Sequence, residues 1–273
     1  MNYNKYKLLD WIPNDKLDWD GLSGNPSAGA IQLLEKNLDK INWTNLSRNP
    51  NAIGLLEQNM DNINWDYLSA NTNAMRLLEQ NQDKINWDVL SYNINAIHLL
   101  EQNLDKIDWY YLASNPSAIQ LLEQNQDKFK RVWYKLLSNP NAMNMIHQNP
   151  DKIRFNWLSS NPNVEAIQIL EQNQDKIDWE FLSLNPNAIQ LLEQNQDKID
   201  WIALSFNPNA IQLLEQNQDK IQWTNLFTNP NIFEHDYLSM SKERTKIIYQ
   251  ELIQKALHPS RVLKWIEVGI EDF

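Results

Sequence analysis

Hydrophobic positions recur along this chain with a fixed long period, and within each period they follow helical spacing. The shared unit is W-x-x-L-S-x-N-P-N-A-I-x-L-L-E-Q-N-x-D-K-I-x. Six of the nine spacings between successive aromatic anchors are 22 residues and three are 24, with two-residue insertions near Gly29, Arg131 and Glu165. The anchors, which number repeats 1 to 10, are Trp19, Trp43, Trp65, Trp87, Trp109, Trp133, Phe155, Trp179, Trp201 and Trp223. A period in the twenties is typical of a solenoid.

Each unit carries two helix-start signals. Asn185 is placed to cap a helix that begins at Pro186, and Asp200 is placed to cap a shorter helix that begins at Trp201. The longer helix is expected to end at Asn195, with that residue in a left-handed conformation. Neither helix is stable alone, because helices shorter than about 12 residues are marginal in water, so neighbouring repeats must bury each other's Trp, Leu and Ile.

These patterns predict an all-α fold, an α-solenoid of about ten helix-turn-helix repeats of ~22 residues. A leucine-rich repeat has a similar period, but the adjacent leucines and the proline of this unit disfavour a strand. The predicted boundaries are an N-terminal cap or half-repeat over residues 1–18, tandem helical repeats over 19–234 and C-terminal capping helices over 235–273. The caps are expected because the terminal apolar faces of a linear array would otherwise lie open.

Composition narrows the classes of function. The formal net charge of −11 disfavours binding to phosphate backbones. The chain has no cysteine, which excludes disulfides and thiolate metal sites and favours a reducing compartment. The N-terminal residues lack the features of a signal peptide, and no apolar run reaches membrane-spanning length. We therefore expect an intracellular protein that is not secreted and has no membrane span.

Polar residues that recur in every repeat predict structure rather than catalysis. The Asn ladder that begins with Asn25 and Asn49 is expected to cap helices and satisfy turn backbone, whereas a catalytic site needs one unique constellation. The histidines share no spacing typical of metal ligands, and His98 and His147 are expected to face solvent. No nucleotide-binding or hydrolase motif occurs. The sequence predicts no enzyme activity, cofactor, metal or small-molecule substrate.

Positions that differ between repeats are the better candidates for function. The third and sixth positions of the first helix share one face and are unusually apolar for variable sites. One interpretation is an aromatic stripe that binds a protein, and the other is that these side chains fill gaps between repeats. The candidate residues are Tyr67, Tyr92, Tyr111, Trp157, Phe181, Leu184 and Phe206.

The C-terminal segment is more basic than the rest of the chain. A helix is predicted from about Ser241 to Leu257, followed by a last helix from about Ser260 that Gly269 stops. Lys242, Arg244 and Lys246 make the first of these a candidate for binding an acidic partner or a membrane surface. The alternative is a capping helix with a solvated face.

The run LSLNPNAIQLLEQNQDKIDW resembles the repeat of uncharacterised proteins of giant, mimivirus-like DNA viruses, and the tail LHPSRVLKWIEVGIEDF is similar to C-termini among them. Thr72 and Ile94 depart from the usual proline of the repeat. The resemblance implies no activity. It implies a viral protein that acts in the host cytoplasm or is packaged in the virion.

Three hypotheses of function follow. The first is a non-enzymatic scaffold that binds a host or viral protein. The second is a structural, self-assembling virion component. The third is a nucleic-acid-associated protein that uses the basic C-terminal helix, a function that the acidic body of the chain disfavours.

Overall fold

A computed structural model describes residues 5–267, and it confirms the all-α repeat fold. The chain divides into two compact units, Leu9–Phe233 and the combination of Met1–Leu8 with Glu234–Phe273. The larger unit contains all ten repeats.

Each regular repeat has a first helix of one to two turns, a tight turn and a second helix, followed by a short 3-10 turn such as Gln196–Lys198. Several second helices are preceded by a further 3-10 turn, as at Pro208–Ala210. The first helices are Trp19–Gly24, Trp43–Ser47, Trp65–Leu68, Trp87–Leu90, Trp109–Ala113, the 3-10 segment Lys130–Ser138, Phe155–Leu158, Trp179–Leu184, Trp201–Leu204 and Trp223–Leu226. The second helices are Ala28–Glu35, Ile53–Glu57, Met75–Gln80, Ile97–Glu101, Ile119–Gln124, Met143–His147, Val164–Glu171, Ile189–Glu193 and Ile211–Glu215.

The first helix is held by its cap, its leucine and its serine. In repeat 8, Leu182 is completely buried, and the Ser183 hydroxyl donates to the Trp179 carbonyl oxygen at 2.7 Å. The same hydroxyl accepts the backbone N–H of Asp200, which caps the first helix of the next repeat, at 3.1 Å. Asp200 in turn accepts the N–H of Ala203 at 2.8 Å, as the sequence predicts. One serine therefore links two successive repeats.

The aromatic anchors are less buried than the sequence suggests. Leu182 and Leu192 have no exposed surface, but Trp179 is only half-buried. The ammonium of Lys198, from the end of the same repeat, lies 4.7 Å from the Trp179 ring centroid. The expectation that neighbouring repeats bury the tryptophans is wrong in this respect, because a lysine of the same repeat covers one ring face.

The recurring asparagine at the seventh position forms a buried ladder between repeats. Each side-chain amide donates to two backbone carbonyls of the preceding repeat, as Asn207 does to Ser183 at 2.9 Å and to Asn185 at 2.9 Å. Its Oδ1 accepts the N–H of Asn209 at 3.0 Å. The ladder residues, all at most 1% exposed, are Asn25, Asn49, Asn71, Asn93, Asn115, Asn139, Asn161, Asn185, Asn207 and Asn229.

The ladder closes on itself. Asn25, in repeat 1, donates to the carbonyl oxygens of Phe227 at 2.9 Å and Asn229 at 2.8 Å, both in repeat 10. These are the same two acceptor positions that every other ladder asparagine uses. Repeat 10 therefore precedes repeat 1 in space as repeat 1 precedes repeat 2, and the ten repeats form a closed ring. The sequence does not predict this closure.

The seam between repeats 10 and 1 has its own residues. Phe227 replaces the repeated serine and is completely buried, and a Cβ on Gly21 would lie only 3.1 Å from the Phe227 Cβ. A Cβ on Gly29 would lie 2.5 Å from the ring of Phe233, which follows repeat 10. Glycine at both positions lets the backbone approach these aromatics closely.

Two further contacts tie the seam. The rings of Trp11 and Trp223 have centroids 6.4 Å apart. The Leu9 N–H donates to the Ile232 carbonyl oxygen at 3.0 Å. Backbone hydrogen bonding and aromatic packing therefore join the first and last segments of the ring.

The first helices form the inner layer of the ring. In a closed ring, the distance between equivalent points on neighbouring repeats grows with their distance from the ring axis, so neighbouring helices lie closer together in an inner layer than in an outer one. Neighbouring first helices lie in direct contact, as Trp19–Gly24 does with Trp43–Ser47. Neighbouring second helices reach each other through long side chains, as His98 does with Glu79 of the preceding repeat at 2.8 Å. The more closely spaced layer is nearer the axis.

The smaller unit contains the strand Tyr6–Leu8, the last two residues of the strand Phe233–His235, and the helices Tyr237–Ala256 and Pro259–Glu267. The two strands form a two-stranded sheet. The long helix begins four residues earlier than predicted, because Asp236 accepts the N–H of Ser239 at 2.9 Å and caps it. The predicted stop at Gly269 lies outside the described residues.

Two local predictions are wrong. Asn195 ends the second helix with φ −134° and ψ 49°, not in the left-handed region, and its side chain donates to the Leu191 carbonyl oxygen at 3.0 Å. The α-helix of repeat 8 begins at Ile189 rather than Pro186. Asn185 still accepts the N–H of Asn187, at 3.1 Å, so it caps the turn that leads into the helix.

Candidate protein-binding surface

The predicted stripe lies on the exposed face of the inner layer of helices. Five of its seven residues are among the exposed large hydrophobic side chains, and Trp157 and Phe181 are half-buried. The exposed fractions are 42% for Tyr67, 53% for Tyr92, 41% for Tyr111, 39% for Leu184 and 41% for Phe206. We call this set of seven residues the aromatic arc. Most of its members project from the first helices instead of filling gaps between repeats.

The two half-buried members pack on each other across a repeat boundary. The rings of Trp157 and Phe181 stack with centroids 5.7 Å apart. The centroid of the Tyr134 ring, in repeat 6, lies 5.1 Å from that of Trp157. This stretch therefore packs between repeats, and both rings remain partly exposed.

Three residues of this region were missed by the sequence analysis. Tyr110 and Tyr134 occupy the second position of their first helices, outside the predicted stripe, and Lys135 occupies the third position in repeat 6. The Lys135 ammonium lies 4.3 Å from the Tyr110 ring centroid and 4.2 Å from that of Trp157. The sequence carries one signal of this region, because repeat 5 is the one repeat in which the second and third positions, Tyr110 and Tyr111, are both aromatic.

The arc covers only part of the ring. Repeats 3 to 9 each carry an aromatic residue or Lys135 at the third or sixth position. Repeats 10, 1 and 2 carry Thr228, Gly24 and Arg48 at the sixth position instead. The ring therefore has an aromatic side and a polar side, and the seam lies on the polar side.

The basic candidates lie in the smaller unit. Lys242, Arg244 and Lys246 are exposed on the helix Tyr237–Ala256. Glu243 interrupts them and forms an ion pair with Lys5 at 2.9 Å. Hydrogen bonds from the hydroxyl and the backbone N–H of Ser239 lower the pKa of Asp236, which caps this helix.

Side chains with acid–base or ligating capacity are dispersed. His98 and His147 are exposed, as predicted, and His147 contacts Glu165 of the next repeat at 2.9 Å. Over the part of the chain that the structure describes, no three His, Cys, Asp or Glu side chains are placed to hold a metal ion. None of the helices within residues 5–267 is long and apolar enough to cross a membrane.

Comparison with known proteins gives no relative from which to transfer a function, because no family model, curated protein or solved structure matches the chain.

Proposed function

We propose that this protein is a non-enzymatic repeat scaffold that binds a protein partner through the aromatic arc. The observation that carries the proposal is that large apolar side chains are exposed on one side of the ring at positions the repeat leaves free. Surface patches of aromatic residues are typical of protein interfaces, where single aromatic anchors dominate the binding energy.

Ring closure supports the proposal. The ladder bonds at the seam, between Asn25 and repeat 10, fix the first and last repeats to each other. A closed ring cannot uncoil as an open solenoid can, so the arc residues are held at fixed spacings before a partner arrives. Preorganisation of this kind reduces the conformational entropy lost on binding.

The proposed partner is a host protein or another viral protein, and the proposed place of action is the host cytoplasm or the virion. The absence of cysteine and the resemblance of the repeat to those of giant-virus proteins support this context. Neither observation selects a particular partner, so the test must compare surfaces of the protein.

A matched pair of variants tests the arc. The arc variant carries Tyr67→Ser, Tyr92→Ser and Phe206→Ser, which replace side chains 42%, 53% and 41% exposed. The control variant carries Leu38→Ser, Met60→Ser and Leu104→Ser, which replace side chains 50%, 40% and 48% exposed in the turns after the second helices. Both variants should keep the wild-type helical content, since exposed side chains contribute little to folding.

Partners are captured from host cells with the wild-type protein, purified, and titrated against both variants. We expect the affinity to fall at least tenfold for the arc variant and to stay near the wild-type value for the control. Equal affinities for the two variants would show that the partner binds elsewhere.

Self-association is the second candidate function, because the helix Tyr237–Ala256 has no buried residue. Tyr249 is 65% exposed and Leu252 is 59% exposed on this helix. An amphipathic helix normally gains its stability from packing its apolar face. Sedimentation over a concentration series distinguishes the candidates, because a scaffold stays at one mass and an assembling component does not. Labelled DNA added to the same samples tests the third hypothesis, binding of nucleic acid through Lys242, Arg244 and Lys246.

A further inference from the structure

Lys135 has an environment unlike that of the repeated lysines. Its ammonium lies between two aromatic rings from different repeats, at 4.3 Å from the Tyr110 centroid and 4.2 Å from the Trp157 centroid. Lys135 is half-buried, and among residues 5–264 no carboxylate lies within ion-pair distance of it. A partly dehydrated ammonium held on aromatic faces keeps hydrogen-bond donors that an anion can use.

The repeated lysines provide a comparison within the same chain. Six of them lie over the anchor ring of their own repeat, at 4.2 to 5.0 Å from its centroid, and they are exposed. Each contacts one ring, as Lys198 contacts Trp179. Because their arrangement recurs around the ring, they serve the repeat, whereas Lys135 is the one basic residue within the span of the aromatic arc at its third and sixth positions.

We propose that Lys135 is the anion-recognition point of the arc, which selects a partner segment with a carboxylate side chain next to an apolar one. The carboxylate would pair with the Lys135 ammonium, and the apolar residue would pack on the exposed parts of Trp157 and Phe181. This inference rests on the proposed function, since it names the chemistry of the partner that binds the arc.

Charge and geometry favour this occupant over a cationic one. An aromatic cage can also bind an ammonium ligand, but here Lys135 occupies the space between Tyr110 and Trp157 and would repel a second cation. The net charge of −11 opposes acidic partners at long range. That repulsion is screened beyond about 8 Å at physiological salt, so a short acidic segment is selected by the contact itself.

Selection from a random peptide library displayed on phage tests the proposal. The baits are the intact wild-type protein, Lys135→Met, Lys135→Arg and the matched control Lys198→Met. Methionine keeps an unbranched apolar side chain and removes the charge, and arginine keeps the charge. We expect peptides enriched in Asp or Glu next to an apolar residue on every bait except Lys135→Met. A synthetic copy of a selected peptide should bind Lys135→Met about tenfold more weakly than wild type.

The outcomes separate this inference from the function on which it rests. Arc-dependent peptides without acidic enrichment, or with equal enrichment on Lys135→Met, would overturn the role of Lys135 and leave the arc as a binding surface. Selected peptides whose affinity is unchanged both by the arc variant and by Lys135→Met, or no selected peptides at all, would contradict both. If Lys135→Met loses helical content, the affinity of the same peptide for Lys135→Gln replaces that measurement, with the same tenfold criterion.

Discussion

The asparagine ladder makes the strongest prediction about stability. Asn207 is completely buried, and its side chain takes part in three hydrogen bonds. Its side chain donates to Ser183 and Asn185 and accepts from Asn209, and its own carbonyl oxygen accepts the amide of Asn229. Replacing it with alanine removes the three side-chain bonds. The carbonyl oxygens of Ser183 and Asn185 and the N–H of Asn209 then each lose their partner on residue 207.

The magnitude follows from those three bonds. Each contributes about 1 kcal/mol net, and burial of the abandoned groups adds to the cost. We expect Asn207→Ala to lower the free energy of unfolding by about 3–5 kcal/mol. Asn209→Ala is the matched control, because Asn209 lies in the same turn but is exposed and donates only to Pro186 from its side chain. Water replaces that bond, so the control should cost at most about 1 kcal/mol.

Urea unfolding followed by circular dichroism measures both variants. Asn207→Asp adds a test of mechanism, because a carboxylate cannot donate to carbonyl oxygens and a protonated carboxyl can. The folded state should therefore raise the pKa of this carboxyl, and its contribution should be present below the unfolded value of about 3.9 and lost as pH rises. A loss below about 1 kcal/mol in Asn207→Ala, or an Asn207→Asp protein less stable in acid, would refute the ladder's role.

Two further predictions concern the seam and the long helix. Gly21→Ala should lower the free energy of unfolding by about 1–3 kcal/mol, because its methyl group would lie 3.0 Å from the Thr224 carbonyl oxygen. Gly54→Ala is the matched control, because its methyl group would have no neighbouring atom within 4 Å, and it should raise the free energy of unfolding by about 0.5–1 kcal/mol. Urea unfolding that gives both variants the same sign would contradict the close approach at the seam. The Ser239 hydrogen bonds lower the pKa of Asp236 from its ordinary 3.8, so the cap is fully formed above that pH and is lost as pH falls through the lowered pKa. The amide chemical shift of Ser239 should follow this titration, and Asp236→Asn should abolish it.

The repeat and its helices could be predicted from the sequence because they depend on local signals. Asp200 caps its helix as its position predicts, and Asn185 caps the turn that leads into the second helix. The half-burial of Trp179 could not be predicted in the same way. The repetition of an aromatic residue does not show whether a neighbouring repeat or a lysine of the same repeat covers its ring. In repeat 8 the ammonium of Lys198, at the end of the same repeat, lies over the ring.

Ring closure could not be predicted, because it depends on the sum of ten small rotations that no single residue sets. The sequence does contain departures from the repeat at the two segments that meet in the seam. Gly21 and Gly29, two of only five glycines, lie in repeat 1, and Phe227 takes the serine position in repeat 10. The environment of Lys135 was missed for a related reason, since it joins side chains of repeats 5, 6 and 7 that are distant in the sequence.

Closure gives a prediction that separates a ring from an open solenoid. Deleting one regular repeat, residues 201–222, places repeat 10 directly after repeat 8, with the same kind of interface that each of them forms with repeat 9. In a linear array this removes one repeat's stability and leaves the other contacts intact. In the ring, nine repeats that each turn the chain by one tenth of a circle leave a gap.

The gap should open at the seam, because the close contacts of Gly21 with Phe227 and of Gly29 with Phe233 tolerate little change in angle. Hydrogen exchange measured by mass spectrometry should show residues 9–25 and 223–233 protected in the wild type and exchanging rapidly in the nine-repeat variant. Residues 87–115, far from the deletion and the seam, should stay protected in both and serve as the internal control. Protection of the seam at the wild-type level in the nine-repeat variant would show that the seam bonds form without the tenfold geometry, and would contradict this prediction.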